Sequence, residues 1–183
     1  MMSIRLPARR ALVSVKLALA GLLIGSAAQA AAPASAPAPE FTGIQTWLNS
    51  EPLTQAGLRG RVVLVDFWTY TCINCINTLP YVKQWHQKYK DQGLVVVGVH
   101  TPEFPFERST KNVADAIKRF GIEYPVAQDN QYKTWDAYRN QYWPAFYLID
   151  KQGQIVYRHF GEGNYAETEA EIQRCLLYTS PSP

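Results

Sequence analysis

The sequence predicts an α/β fold: a central mixed β-sheet flanked by helices, with a short N-terminal hairpin extension. Three observations carry that prediction. Residues 61–68 and 94–99 are continuous apolar runs rich in β-branched side chains, as suits strands covered on both faces. Between them Leu79, Val82, His86 and Tyr89 recur at spacings of three and four, the signature of a helix. Strand, helix and strand then make a parallel pair with a right-handed crossover. Residues 145–149 and 154–160 flank Asp150-Lys-Gln-Gly153 and read as an antiparallel hairpin, so the sheet holds both pairings.

The elements follow in order. Residues 1–30 are an address: a basic start, an apolar run too short to span a bilayer, and Ala28-Gln29-Ala30 as a cleavage pattern. They read as a secretory signal peptide, with an uncleaved membrane anchor as the alternative. Residues 31–40 alternate Ala and Pro and read as an extended linker. The folded domain is expected over 41–176. Residues 44–48 and the stretch around Leu53 supply the short hairpin. The first strand follows, then a helix from near Cys75 to Lys90, closed by Gly93, and then the second strand. Residues 100–108 contain Pro102 and Pro105 and form a loop. Val113, Ile117 and Phe120 mark a helix, with Gly121 placed as its C-cap. Tyr132, Trp135, Tyr138 and Tyr142 form a further aromatic helical face. After the hairpin, Asn164 and Glu167 have capping-box spacing for a last helix. Residues 177–183 read as a disordered or non-native tail, and if non-native sequence begins earlier it takes in Cys175.

Composition narrows the function. Hydrophobic residues at 47% and charged residues at 18% support a buried core and exclude general disorder. The net charge of +3 belongs to residues 1–30, which hold Arg5, Arg9, Arg10 and Lys16 and no acid. The remainder carries 14 bases against 15 acids, which argues against nucleic acid or a membrane surface as electrostatic partner. Three cysteines are too few for a disulfide-stapled scaffold or a four-thiolate metal site.

The chemistry points to Cys72 and Cys75. The pair sits where a buried strand ends and a helix begins. A helix N-terminus offers unpaired N–H groups and partial positive charge, and both favour a thiolate at Cys72. Cys75, one turn further in, should be more buried and placed to resolve a mixed disulfide formed at Cys72. Half a zinc site would need a second ligand pair, and His86, His100, His159 and Cys175 show no such spacing. A purely structural disulfide over two intervening residues would constrain little chain entropy. Cys175 reads as a buried, inert thiol on the last helix. His100 and Glu103 lie at the carboxyl end of a strand, where active residues often collect, in a loop that Phe104 and Phe106 would otherwise only pack.

The run Val65-Asp-Phe-Trp-Thr-Tyr-Thr-Cys72-Ile-Asn-Cys75 resembles the thioredoxin superfamily, and the element order is similar to it over residues 41–175. The signal segment, the Leu58-Arg59-Gly60 lead-in and the loop 101–108 resemble exported TlpA-like proteins and the thioredoxin-like domain of DipZ proteins. The resemblance implies a thioredoxin-like fold. It also implies roles. Asp66 takes the place of a buried strand carboxylate that moves a proton for Cys75. Pro144 takes that of a cis-proline facing the dithiol, and the Trp143 backbone would pair with a substrate segment. Trp68, four residues before Cys72, would cover the dithiol. Three departures stand out: Ile73-Asn74 between the cysteines instead of Gly-Pro, the bulky Trp143 before Pro144, and Gly98 where thioredoxin has a buried lysine. They leave the potential and the direction of electron flow open.

The expected function is an exported, periplasmic thiol–disulfide oxidoreductase acting on protein cysteines through a redox-active Cys-x-x-Cys. Reduction of partner disulfides is the direction that the resemblance implies. Electrons would come from a membrane thiol donor, since no flavin or nicotinamide motif is present. No small-molecule cofactor, metal or nucleic acid is expected. Two alternatives stay open. Thr69-Tyr-Thr-Cys72 partly echoes thiol peroxidases of the AhpC/TSA type, although Val65 stands where those carry Pro. A metal- or haem-pathway binding module would use the same dithiol without catalysis.

Overall fold

The computed structural model describes residues 35–178. In chain order the elements are β1 (Ala36–Pro37), β2 (Thr46–Leu48), β3 (Val62–Trp68), α1 (Ile73–Tyr89), β4 (Leu94–His100), α2 (Thr110–Phe120), β5 (Val126–Gln128), α3 (Lys133–Ala137), β6 (Ala145–Ile149), β7 (Gln154–Phe160) and α4 (Tyr165–Leu177). Single 3-10 turns lie at Lys90–Gln92 and Pro105–Arg108. The expected signal segment 1–30, residues 31–34 of the linker and residues 179–183 of the tail lie outside the described residues.

The strands form one sheet in the order β1-β7-β6-β3-β4-β5-β2. β3, β4 and β5 are parallel, while β6 lies antiparallel to β3 and β7 to β6, so the sheet is mixed. This is a thioredoxin-like fold. β3 and β4 sit at the centre because their β-branched runs tolerate burial on both faces. Every residue of β3 is buried, and every residue of β4 except Val95. Side chains alternate between faces along β3. Val62, Leu64 and Trp68 pack under α1, α2 and α4, against Leu79, Val82, Trp85, Ile117 and Ile172. Val63, Val65 and Phe67 face the other way, against Phe41, Leu58, Trp135 and Tyr138.

The helix ends follow their capping chemistry. Ser109 accepts from the Asn112 N–H at 3.4 Å to start α2, and Gly121 closes it in the left-handed region at φ 61°. The β6–β7 turn is held by Asp150 Oδ1, which accepts from the N–H groups of Gln152 (2.9 Å) and Gln154 (2.8 Å).

Four local expectations differ from the structure, and one strand had none. The N-terminal hairpin does not form. β2 pairs antiparallel with β5, and the stretch around Leu53 packs on the second face of the sheet. Asn49, at φ 64°, turns the chain there and donates to the carbonyls of Ile122 and Tyr124. The segment thus covers an edge strand that would otherwise stand open. β5 itself has no counterpart in the sequence reading: three residues between Pro125 and Asp129 show no measurable period. The expected aromatic helix shrinks to the five residues of α3. Asp129 accepts from the N–H groups of Thr134 and Trp135 at its start, Tyr132 stands at φ 60°, and Tyr142 lies exposed in irregular chain. The Asn164 capping box is absent: Asn164 adopts φ 48°, and its side chain makes no cap bond. Finally, the sheet begins before the expected boundary at residue 41, since Ala36 and Pro37 pair with β7 and the Ala38 N–H donates to the Gly153 carbonyl.

Candidate active site

The end of β3 and the start of α1 bring the two cysteines together. Cys72 is the N-cap of α1, with φ −68° and ψ 110°. Its Sγ accepts from the Cys75 N–H at 3.2 Å, in the position where Ser or Asp commonly caps a helix. Both thiols are free. Cys72 is half-buried and Cys75 fully buried. Their proton affinities separate accordingly. Hydrogen bonds from the Cys75 thiol and from the Cys75 and Asn74 N–H groups lower the Cys72 pKa to about 7, against the opposing pull of burial and of Glu103. Burial pushes the Cys75 thiol far up, and the neighbouring Cys72 and Asp66 add to it. The arrangement suits one nucleophilic thiolate at the surface and one shielded thiol behind it.

Asp66 lies mid-strand in β3, opposite Gly98 on β4 and Phe146 on β6, with no solvent exposure. Burial raises its pKa from 3.8 to about 8, and the charge of Cys72 adds to that. Neither carboxyl oxygen has a hydrogen-bond partner. A carboxyl so placed is mostly protonated at neutral pH, and its ionised minority can take up a proton.

The Trp143–Pro144 peptide bond is cis. Pro144 is buried, and its carbonyl accepts from the Gly161 N–H. Trp143 donates through Nε1 to the Thr101 carbonyl at 3.0 Å and packs on Trp135 with centroids 4.2 Å apart. It lines one shallow recess with Thr71, Cys72, Ile73, Asn74 and Glu103. Trp68, expected over the dithiol, has no solvent exposure and lies in the core cluster that holds Cys75 and against which Cys72 packs. As a β3 residue two positions on from Asp66, it points to the same inner face.

Glu107 escaped the sequence reading. It is fully buried and accepts from Thr71 Oγ1, from the Glu103 N–H at 2.6 Å and from the Phe104 N–H at 2.9 Å. Burial pushes its pKa up, but the bonds from Thr71, Phe104, Thr69 and Glu103 outweigh that and the net shift is downward. It ties the 101–108 loop to the turn before Cys72. No local pattern announces a buried acid inside an exposed-looking Phe-rich loop. His100 is buried beside it, with Nε2 3.2 Å from Thr69 Oγ1 and a ring stacked on Tyr70. Burial lowers its pKa to about 4, so the imidazole is neutral. Cys175 is buried in α4, in the core cluster beneath the helices, and burial raises its pKa to about 11. Among the described residues no group of three or more His, Cys, Asp or Glu is arranged to hold a metal ion. Among the same residues no helix is long and apolar enough to cross a membrane.

Comparison with known proteins agrees with the thioredoxin-like fold. Residues 33–176 match the Redoxin family profile. The chain is 50% identical over 147 residues to the protein DipZ of Mycobacterium tuberculosis, covering 79% of this chain and 21% of DipZ. It therefore spans about a fifth of the length of that relative. It is 32% identical to the thiol-disulfide oxidoreductase YkuV of Bacillus subtilis, covering 78% of this chain and 96% of YkuV. A crystal structure of a thioredoxin-like superfamily protein superposes with a TM-score of 0.73 at 28% identity, covering 79% of this chain and 99% of that one.

Proposed function

This chain belongs to the Redoxin family and carries its thioredoxin-like oxidoreductase domain, and we propose that it is an exported thiol–disulfide oxidoreductase that reduces disulfides in partner proteins through Cys72 and Cys75. The observation that carries the proposal is the asymmetry of the pair: one thiol at a helix cap with a pKa of about 7, the other buried one turn behind it.

The Cys72 thiolate attacks one sulfur of a partner disulfide. A mixed disulfide forms and one partner thiolate leaves. Cys75 then loses its proton to Asp66 and attacks Cys72 Sγ. The Cys72–Cys75 disulfide forms, the second partner sulfur leaves as a thiolate that takes a proton from solvent, and Asp66 releases its proton in turn. Two electrons pass to the partner, and a membrane thiol donor would restore the dithiol. Exposed Ile73, with the Trp143 backbone before Pro144, offers an extended partner segment a place beside Cys72. Export to the periplasm rests on the signal-like residues 1–30. The direction of electron flow rests on the resemblance to exported TlpA-like proteins alone.

The peroxidase alternative has less support. Its threonine would aim a hydroxyl at the thiolate, whereas Thr69 is buried with Oγ1 on His100 Nε2.

Trapping tests the proposal. Expressed with residues 1–30 in a bacterium, Cys75→Ala should accumulate higher-mass adducts that vanish with reductant, while Cys72→Ala should give none. Folded, abundant Cys75→Ala without reducible adducts would sink the protein-disulfide reading. Sulfenic acid at Cys72 with few adducts would favour the peroxidase.

A further inference from the structure

We infer that the Tyr124 hydroxyl and the Trp68 indole N–H are the hydrogen-bond donors that receive the Asp66 carboxylate when it ionises, which makes both of them positioning residues of the proton step at Cys75. The inference deepens the proposed function and rests on Asp66 being the proton acceptor there.

Four buried side-chain atoms around Asp66 have no hydrogen-bond partner: its own two oxygens, Trp68 Nε1 and the Tyr124 hydroxyl. Buried polar groups are seldom left so, and each case asks for a reason. Here the four are complementary. The carboxylate offers acceptors only, the indole a donor only, and the phenol can donate.

Gly98 brings them to one place. It is the register partner of Asp66 on the neighbouring parallel strand, about 4.8 Å away. A Cβ on Gly98 would stand 2.9 Å from Trp68 Nε1 and 3.1 Å from Tyr124 Cε2. The indole nitrogen and the phenol edge therefore fill, directly beside Asp66, the room that any other residue at position 98 would claim. Tyr124 is held there from outside: Asn49 donates to its carbonyl at 3.1 Å, and the His86 ring packs edge-on at 5.8 Å.

A protonated Asp66 asks little of these donors. An ionised one in a water-poor interior needs them, because an unpaired buried charge is prohibitively costly. When Cys75 passes its proton to Asp66, the carboxylate becomes a carboxylic acid and releases the donors. When the acid returns the proton, the donors close on it again. No electrons move in either direction.

The other groups facing Asp66 have distinct effects. Cys72 and Cys75 reach it from α1. Phe146 on β6 brings only a ring, with His159 beyond it. His86 lies behind Tyr124, and Lys90 and Glu123 act on His86.

The sample for the test is the oxidised protein, in which neither Cys72 nor Cys75 titrates. The carboxyl stretch of Asp66, identified by its loss in Asp66→Asn, is followed against pH by difference infrared spectroscopy. Tyr124→Phe removes one oxygen and keeps the ring; Trp68→Phe removes the second donor. Losing a donor to the charged form raises an acid's pKa. Each variant should lift the midpoint by about one pH unit, a tenfold gain in proton affinity. The pH limb of the disulfide-exchange rate should move with it. A midpoint that stays put or falls in both variants overturns the inference, even if their thermal stability drops, since a packing role alone predicts that drop. Failure of the underlying function reads differently: Asp66→Asn would then leave the pH limb of exchange unchanged, while the infrared titration still reports on the donors.

Discussion

Replacing Asp66 by Asn should stabilise the protein at pH 7 and leave its stability at pH 3 unchanged. In the unfolded chain this carboxyl titrates near 3.8; in the fold, burial first and the Cys72 charge second raise it to about 8. The native state therefore keeps a proton that the unfolded state releases. Its stabilising share is full below 3.8 and is lost as pH rises through 8. Each unit costs about 1.36 kcal/mol, so between pH 3.8 and pH 7 the loss is roughly 4 kcal/mol. Against a domain stability of about 5–15 kcal/mol, that is a large share. Asn keeps the shape of the neutral acid and cannot ionise, so it escapes the loss. Urea unfolding of both proteins under reducing conditions, at pH 3, 5 and 7, measures the difference. The gain should be near zero at pH 3 and grow steadily. An equal gain at all three values would mean that the carboxyl does not titrate between the two states, and the burial argument would fail.

Two further outcomes follow from the same site. Iodoacetamide at pH 6 should label Cys72 about tenfold faster than an ordinary thiol, because its larger thiolate fraction outweighs its lower intrinsic nucleophilicity. The half-rate should lie near pH 7, with Cys75 and Cys175 protected in the folded protein; peptide mass analysis that finds Cys75 first would reverse the two roles. Glu107→Gln should cost about 2–3 kcal/mol at neutral pH, since an amide turns a donor toward Thr71 and the backbone N–H groups that the carboxylate accepts from. The lowered pKa of Glu107 means that its contribution is present above the unfolded value of 4.5 and lost in acid, so the cost should shrink as pH falls below that value. Chemical unfolding at pH 3 and pH 7 checks both signs, and a variant as stable as the parent at pH 7 would show that the buried carboxylate does not hold the 101–108 loop.

Elements with a local signal are legible in the sequence. β3, β4 and the β6–β7 pair are long enough for their apolar runs and turn residues to stand out. α1 and α2 show helical spacing, and Gly121 has the left-handed φ that its C-cap position asks for. The place of Cys72 and Cys75 at a strand-to-helix boundary follows from that periodicity, and the helix cap brings its own N–H groups to Cys72. Only the tertiary structure decided the rest, because it depends on which distant backbone arrives alongside. β5 exists because β4 and β2 pair with it, and β2 abandons a hairpin because that edge needs cover. Glu107 looks like a loop acid until the fold buries it. Asp66 is a strand acid in the sequence. Burial and the Cys72 charge raise its pKa, and Gly98, thirty-two residues on, leaves beside it the space in which the indole and the phenol meet.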